Sequence, residues 1–209
     1  RFFACIKLLK NWCCARADDF LGTSPDGVRD RGQYVEVELL RTKTTGPDKK
    51  RHRVSAYLDK SCALVDASWI GHLLDFLGSS EFGFPRDYLL PLPRDGFTGA
   101  RRRMASHADV TQIGRSLLEQ LRVPVFVKKP TGHDWHLSQH ELLVAGSANL
   151  WSEHSDRKFL PSVAAVITDT SKEKLDNLGR WDTGGSADYV QSQADVVVAI
   201  QRAVVLERG

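Results

Sequence analysis

The sequence predicts a mostly α-helical α+β domain, a helical bundle with a small antiparallel β-sheet, and three observations carry that prediction. Phe2, Cys5, Ile6, Leu9, Trp12 and Cys13 recur at three-to-four spacing and make one apolar helix face. "YVEVELL", residues 34–40, alternates like a strand, and "HRVSAYL", residues 52–58, can return beside it. Residues 110–121, 154–168 and 187–206 are further helical segments, the last rich in valine.

The remaining elements follow in order. "GTSPDG", residues 22–27, is turn chemistry, and "TTGPDKK" is the Gly- and Pro-containing turn of the hairpin, with a basic tip. Residues 61–77 read as a helix with Trp69, His72, Leu73 and Phe76 at helical spacing. Residues 81–105 are rich in Pro, Gly and Arg and read as irregular. "VPVFV", residues 123–127, fits an edge strand. Residues 138–148 fit a helix with Ser138 as N-cap and Glu141 completing a capping box. Residues 171–178 form a short helix capped by Ser171, and "DTGGS" is a loop.

Bulk properties narrow the class. The 209 residues suffice for one large domain with a real core. We read residues 1–209 as a single unit. The chain opens without Met inside an amphipathic pattern, so it is expected to be a cut domain with upstream parts missing. Hydrophobic content of 42% and charged content of 26% are ordinary globular values. The net charge of +3 does not by itself indicate nucleic acid, but the distribution is uneven. Residues 41–53 hold six Lys/Arg against one Asp, and Arg101, Arg102 and Arg103 form a second block. Cys5, Cys13, Cys14 and Cys62 lack zinc-like spacing and are expected as buried free thiols in a reducing compartment. No run of about 18 apolar residues offers a membrane span, and no signal peptide is legible. His133, His136 and His140 lack a Cys or carboxylate to complete a tetrahedral set, so no metal is expected there.

The polar residues with chemical potential fall into an ordered series. "WSEHSDR" puts His154 and Arg157 three residues apart at a helix start. "LGRW" follows, and Tyr189 comes eight residues after Trp181. Upstream, "ARADDF" sets Asp19 three residues after Arg16, and "RTKT" sets Lys43 at the end of a strand. In this order and local setting the motifs resemble those of tyrosine recombinases, the phage integrase family. They span nearly the whole chain, from Arg16 to Tyr189. The wording of "RTKTTGPDKK" and "LGRW" resembles recombinases of eukaryotic mobile elements, the Crypton-like group and its relatives.

The resemblance implies a reaction: DNA strand breakage and rejoining for integration or recombination, without metal, ATP or cofactor. Tyr189 would be the nucleophile, forming a 3′-phosphotyrosyl link that conserves the bond energy. Arg16 and Arg157 would give forked, charge-assisted hydrogen bonds to the phosphorane, a task that suits arginine's planar, permanently charged fork better than lysine. Lys43, on a mobile hairpin, would protonate the leaving 5′-oxygen. His154 would bond the phosphate or help deprotonate Tyr189. Asp19 would hold Arg16. At the Gly-(His/Trp) corner the reading favours Trp181, with Arg180 the alternative. Arg41, Lys49, Lys50, Arg51 and Arg101 to Arg103 are candidate DNA-backbone contacts. The resemblance also implies double-stranded DNA as partner, a homotetramer on paired sites, an upstream DNA-clamping domain absent here, and a nuclear location in a eukaryotic host. Residues 194–205 are apolar enough either to dock on a neighbouring protomer or to pack on their own chain. Two other readings stand beside this one: a mobile-element relic that binds DNA without turnover, and a type IB topoisomerase. Taken singly, each residue has a plainer role. Arg16 could pair with a nearby Asp, Tyr189 could be a core aromatic, and Trp181 could serve packing.

Overall fold

The computed structural model describes residues 1–20, 22–42, 53–63, 66–128, 134–167, 171–179 and 190–208. The expected helix face becomes helix α1, Phe2–Trp12, whose buried residues include Phe2, Phe3, Ile6 and Leu9. Strands β1 (Val28–Asp30), β2 (Tyr34–Leu39) and β3 (Val54–Asp59) form an antiparallel sheet in that order. The β2–β3 register runs from Tyr34 opposite Asp59 to Leu39 opposite Val54. Alternation decides which face is buried: Val35, Val37 and Leu39 point inward with no more than 0% exposure. The outer face carries ion pairs between Arg29 and Glu38, Arg31 and Glu36, and Lys60 and Asp30. Being exposed, these add little stability, and they neutralise most of the charge on that face.

Helix α2, Ser68–Gly78, starts later than the sequence pattern suggests. Asp66 accepts from the Ser68 backbone N–H at 2.8 Å, which fixes the start locally, and the Trp69 indole N–H donates to the Cys62 carbonyl at 2.8 Å. Residues 81–105 are not wholly irregular as expected. β4 (Pro91–Pro93) pairs with β5 (Ala100–Met104), which carries Arg101, Arg102 and Arg103. The approach to β4 is fastened by the Arg86 guanidinium, which donates to the carbonyls of Phe84, Tyr88 and Leu89 at 3.1, 2.8 and 3.0 Å, and also to that of Phe82.

Helix α3, His107–Glu119, begins with a full capping box in which Ser106 and Asp109 bond reciprocally. β6 (Arg122–Lys128) follows as expected, but residues 138–148 are not a helix. Their first part belongs to β7, Trp135–Glu141, paired antiparallel with β6. The Ser138/Glu141 spacing that mimics a cap is a local signal, and the neighbouring strand's hydrogen-bonding edge outweighs it. Helices α4 (Glu153–Ile167), α5 (Lys172–Gly179) and α6 (Val190–Arg208) complete the chain. The Lys174 backbone N–H reaches the Ser171 hydroxyl at 3.4 Å. The architecture is α+β, with three small antiparallel sheets among the described residues where a single one was expected. No helix among them is long and apolar enough to cross a membrane.

The core joins α1, the inner face of the three-stranded sheet and α2 to α4 and α6. All four cysteines are free and buried within it, and burial, reinforced by the Asp59 carboxylate, drives the Cys62 thiol far above its usual value. Ala194, Val197, Val198, Ile200 and Val204 of α6 are buried against their own chain, which settles the open choice for 194–205 in favour of self-packing. Gln201 fixes this helix. Its amide donates to the carbonyls of Trp12 and Tyr57 at 2.9 and 3.0 Å, and its oxygen accepts from the Asp59 N–H at 2.8 Å. Gln201→Leu removes these three hydrogen bonds from a site with 0% exposure, so we expect a loss of about 2–3 kcal/mol in chemical denaturation. An unchanged midpoint would show that the amide is dispensable.

Candidate functional site

The site begins where α1 ends. The Ala15 N–H bonds the Lys10 carbonyl at 2.9 Å and the Cys14 N–H bonds the Asn11 carbonyl at 3.2 Å, the pair of bonds that defines a Schellman turn. Cys14 occupies the left-handed position with φ 49°, where glycine is usual. This stop delivers Arg16 directly to a short 3-10 turn, Ala17–Phe20. The Asp19 carboxylate folds back and accepts the Arg16 backbone N–H at 2.8 Å. The Arg-x-x-Asp spacing therefore has a local physical cause. An acid three residues into a turn satisfies the amide that opens it, as in half of a capping box.

A second chain segment reaches the same carboxylate. Arg157, in the first turns of α4, places Nη1 3.8 Å from Asp19 Oδ2, the oxygen that also accepts from Arg16. The same Nη1 donates at 3.2 Å to the carbonyl of Cys14, 143 residues away in sequence. Arg157 is buried, with its side chain 7% exposed, whereas Arg16 is half-buried. Among the described residues no partner holds the Arg16 guanidinium. Thr23 ties this turn to β2 by donating to the carbonyls of Asp19 and Glu38 at 3.2 and 3.0 Å. Gly22 (φ 79°) lies under Arg41, since a Cβ there would stand 2.9 Å from Arg41 Cγ. Residues from α1's end, β2's end and α4 thus meet around one turn.

Sequence reasoning missed the charged cluster beneath this turn. Asp156, 1% exposed, accepts from Lys7 at 2.9 Å, from Lys10 at 2.9 Å and from the Trp151 indole at 2.8 Å. Burial pushes its carboxyl upward, but the Lys10 and Lys7 ammoniums together outweigh this and hold it below the usual carboxylate range. The signal was present: Lys10 falls at an apolar position of α1, four residues after Ile6 and seven after Phe3. A lysine there requires a buried anion. This cluster anchors α4 on α1 and so positions the adjacent Arg157.

The other sequence-derived candidates are placed as follows. His154 is exposed at the start of α4, not buried beside Arg157. Arg101, Arg102 and Arg103 are exposed on β5. Arg101 pairs with Asp95 at 3.0 Å, and the Arg102 guanidinium lies 5.4 Å from the Phe84 ring centre. Lys43, Lys49, Lys50, Arg51, Arg180, Trp181 and Tyr189 lie outside the described residues, as does His133. Tyr189 immediately precedes α6 in sequence. His136 and His140 are exposed on β7. Among the described residues no group of three or more His, Cys, Asp or Glu is placed to hold a metal ion.

No family model matches the chain, and no curated protein or solved structure does either.

Proposed function

We propose that this chain is the catalytic domain of a tyrosine recombinase that breaks and rejoins duplex DNA through a covalent 3′-phosphotyrosyl link. One observation carries the reading. Arg16 and Arg157, from opposite ends of the chain, meet on a single oxygen of Asp19, one through its backbone and one through its guanidinium. A phosphorane develops charge on its non-bridging oxygens, and forked hydrogen bonds from both guanidinium groups would stabilise it; Asp19 holds Arg157 by its guanidinium but Arg16 only at the backbone, so the phosphate itself would order the Arg16 side chain. Arg41 leads from this turn into residues 43–52, where Lys43 would supply the proton for the leaving oxygen. Tyr189 would attack the phosphorus, with His154 assisting and Trp181 or Arg180 donating to the phosphate. On this reading the substrate is double-stranded DNA, bound by phosphates through Arg101 to Arg103 and residues 49–51. Paired sites would be joined in a homotetramer within the nucleus of a host carrying the element.

A nicked duplex tests the proposal, because loss of the short fragment after cleavage traps the covalent adduct. The wild-type protein is expected to yield an adduct that Tyr189→Phe abolishes. An adduct that survives in Tyr189→Phe, or none on cognate DNA, removes the catalytic assignment.

The burial of Arg157 favours a second reading, a DNA-binding relic without turnover. A guanidinium only 7% exposed and bonded to the Cys14 carbonyl can act as an internal clamp between α1 and α4. Retention of duplex DNA without any adduct is the result this reading expects.

A further inference from the structure

The β4–β5 ribbon leads into a serine that the proposed reaction does not use. β5 holds Arg101, Arg102 and Arg103 in an extended strand, and Ser106 follows two residues after its end, itself extended at φ −70° and ψ 168°. All four residues are exposed. Arg101 and Arg103 share one face of the strand, because side chains alternate along it. β4 pairs with one edge of β5, and among the described residues no strand pairs with the other. The spacing is rare in this chain. Ser106 is the one serine with arginine three residues before it, and it has another arginine five residues before. Thr44 and Thr183 share the first spacing but not the second, and both lie outside the described residues.

We propose that Ser106 is a phosphorylation site for a kinase with an acidic substrate groove, and that the phosphate weakens the hold of β5 on DNA. An acidic groove reads an extended segment with exposed arginines before the acceptor by charge complementarity. In the transfer the Ser106 Oγ bonds to the γ-phosphorus of ATP, and the bond from that phosphorus to the bridging oxygen breaks. ADP leaves, and the hydroxyl proton passes to the kinase's base. The hydroxyl first leaves its capping box, where it donates to the Asp109 carboxylate at 2.7 Å and accepts from the Asp109 N–H at 3.2 Å. That release costs about 1 kcal/mol. The product carries about −1.5 to −2 charges, which offsets half or more of the positive charge on the three arginines. Asp109 repels the phosphate and turns it toward Arg103, which already acts on that carboxylate. Hydrogen bonds from Ser106, and then the Arg103 charge, hold Asp109 below its usual range. The effect on DNA rests on the reading that Arg101 to Arg103 contact the duplex, whereas the acceptor site does not.

The full chain is incubated with ATP and a purified serine kinase that requires arginine three and five residues before its acceptor, and the modified residue is located by peptide mass mapping. Phosphate is expected on Ser106. Arg103→Gln should slow incorporation by about tenfold or more, the loss of one charge-assisted contact. Ser106→Asn keeps a favoured helix N-cap but has no hydroxyl, so position 106 should take up no phosphate and the circular dichroism spectrum should not change. Duplex retention is then measured against salt before and after kinase treatment. The phosphorylated protein should bind about tenfold or more weakly, with a salt slope smaller by about two, and kinase-treated Ser106→Asn should bind like the unmodified chain. No phosphate on Ser106, an incorporation rate indifferent to Arg103→Gln, or an unchanged duplex affinity after modification overturns the proposal. Failure of the unmodified protein to retain duplex is a distinct result, which removes the DNA reading and the switch together.

Discussion

Asp156→Asn is expected to destabilise the protein by about 3–5 kcal/mol at neutral pH, a third or more of the stability of a typical domain. The carboxylate is 1% exposed and takes hydrogen bonds from Lys7, Lys10 and Trp151, and Lys10 is itself 3% exposed. Removing its charge leaves two ammoniums facing an interior without the anion that neutralises them. The pH dependence provides an independent check. The folded carboxyl titrates below the ordinary value of 3.8, so the unfolded chain takes up the proton first. The stabilising contribution is complete above that value and is lost as the pH falls through it toward the folded pKa. Asp59 adds to the same trend. Burial raises its carboxyl, but the hydrogen bonds from Ser61 and Arg202 more than offset this. Denaturation of the wild type should therefore show stability falling between about pH 5 and pH 2, and the Asp156→Asn curve should be flatter there. Parallel curves would mean that Asp156 is not the titrating group.

Arg157→Lys is expected to separate catalysis from folding. It keeps a positive charge near Asp19 but loses the planar fork that donates to the Cys14 carbonyl. If the guanidinium stabilises the phosphorane, adduct formation on the nicked duplex should slow by about 100- to 1,000-fold. The thermodynamic cost should stay near 1 kcal/mol, the worth of one hydrogen bond. Arg157→Ala should instead cost about 3–5 kcal/mol, because it removes a buried guanidinium that bonds the Cys14 carbonyl and faces the buried Asp19 carboxylate. A lysine variant that forms adduct at the wild-type rate would assign Arg157 to the clamp between α1 and α4 and remove it from the catalytic set.

The parts of the fold that were legible in the sequence are those in which a segment's own pattern sets its burial. The face of α1, the alternation of β2 and the start of α4 are of this kind. Misreadings arose where a partner strand decides. "HLSQHEL" has a polar composition and a cap-like Ser/Glu spacing, yet it pairs with β6 along its length. "ARRRM" shows no apolar alternation, and only β4 makes it a strand. The candidate site divides in the same way. The pairing of Asp19 with the Arg16 amide is local and follows from a three-residue spacing. The cluster of Asp156 with Lys7 and Lys10 joins residues 149 positions apart, and in the sequence Asp156 resembles any acid in the first turn of a helix.

By itself the sequence determined which segments become most of the helices and the central hairpin, because periodicity and turn chemistry act over a few residues. It also determined that the α1 terminus would carry an arginine with an acid three residues behind it. Only the tertiary structure decided that Arg157 reaches back to that acid and that Asp156 neutralises a lysine pair. It alone decided that α6 packs on its own chain and that the β6–β7 ribbon presents an uncovered apolar face. These outcomes depend on contacts between distant segments. Burial turns such contacts into requirements for a charge or hydrogen-bond partner that no single segment can supply.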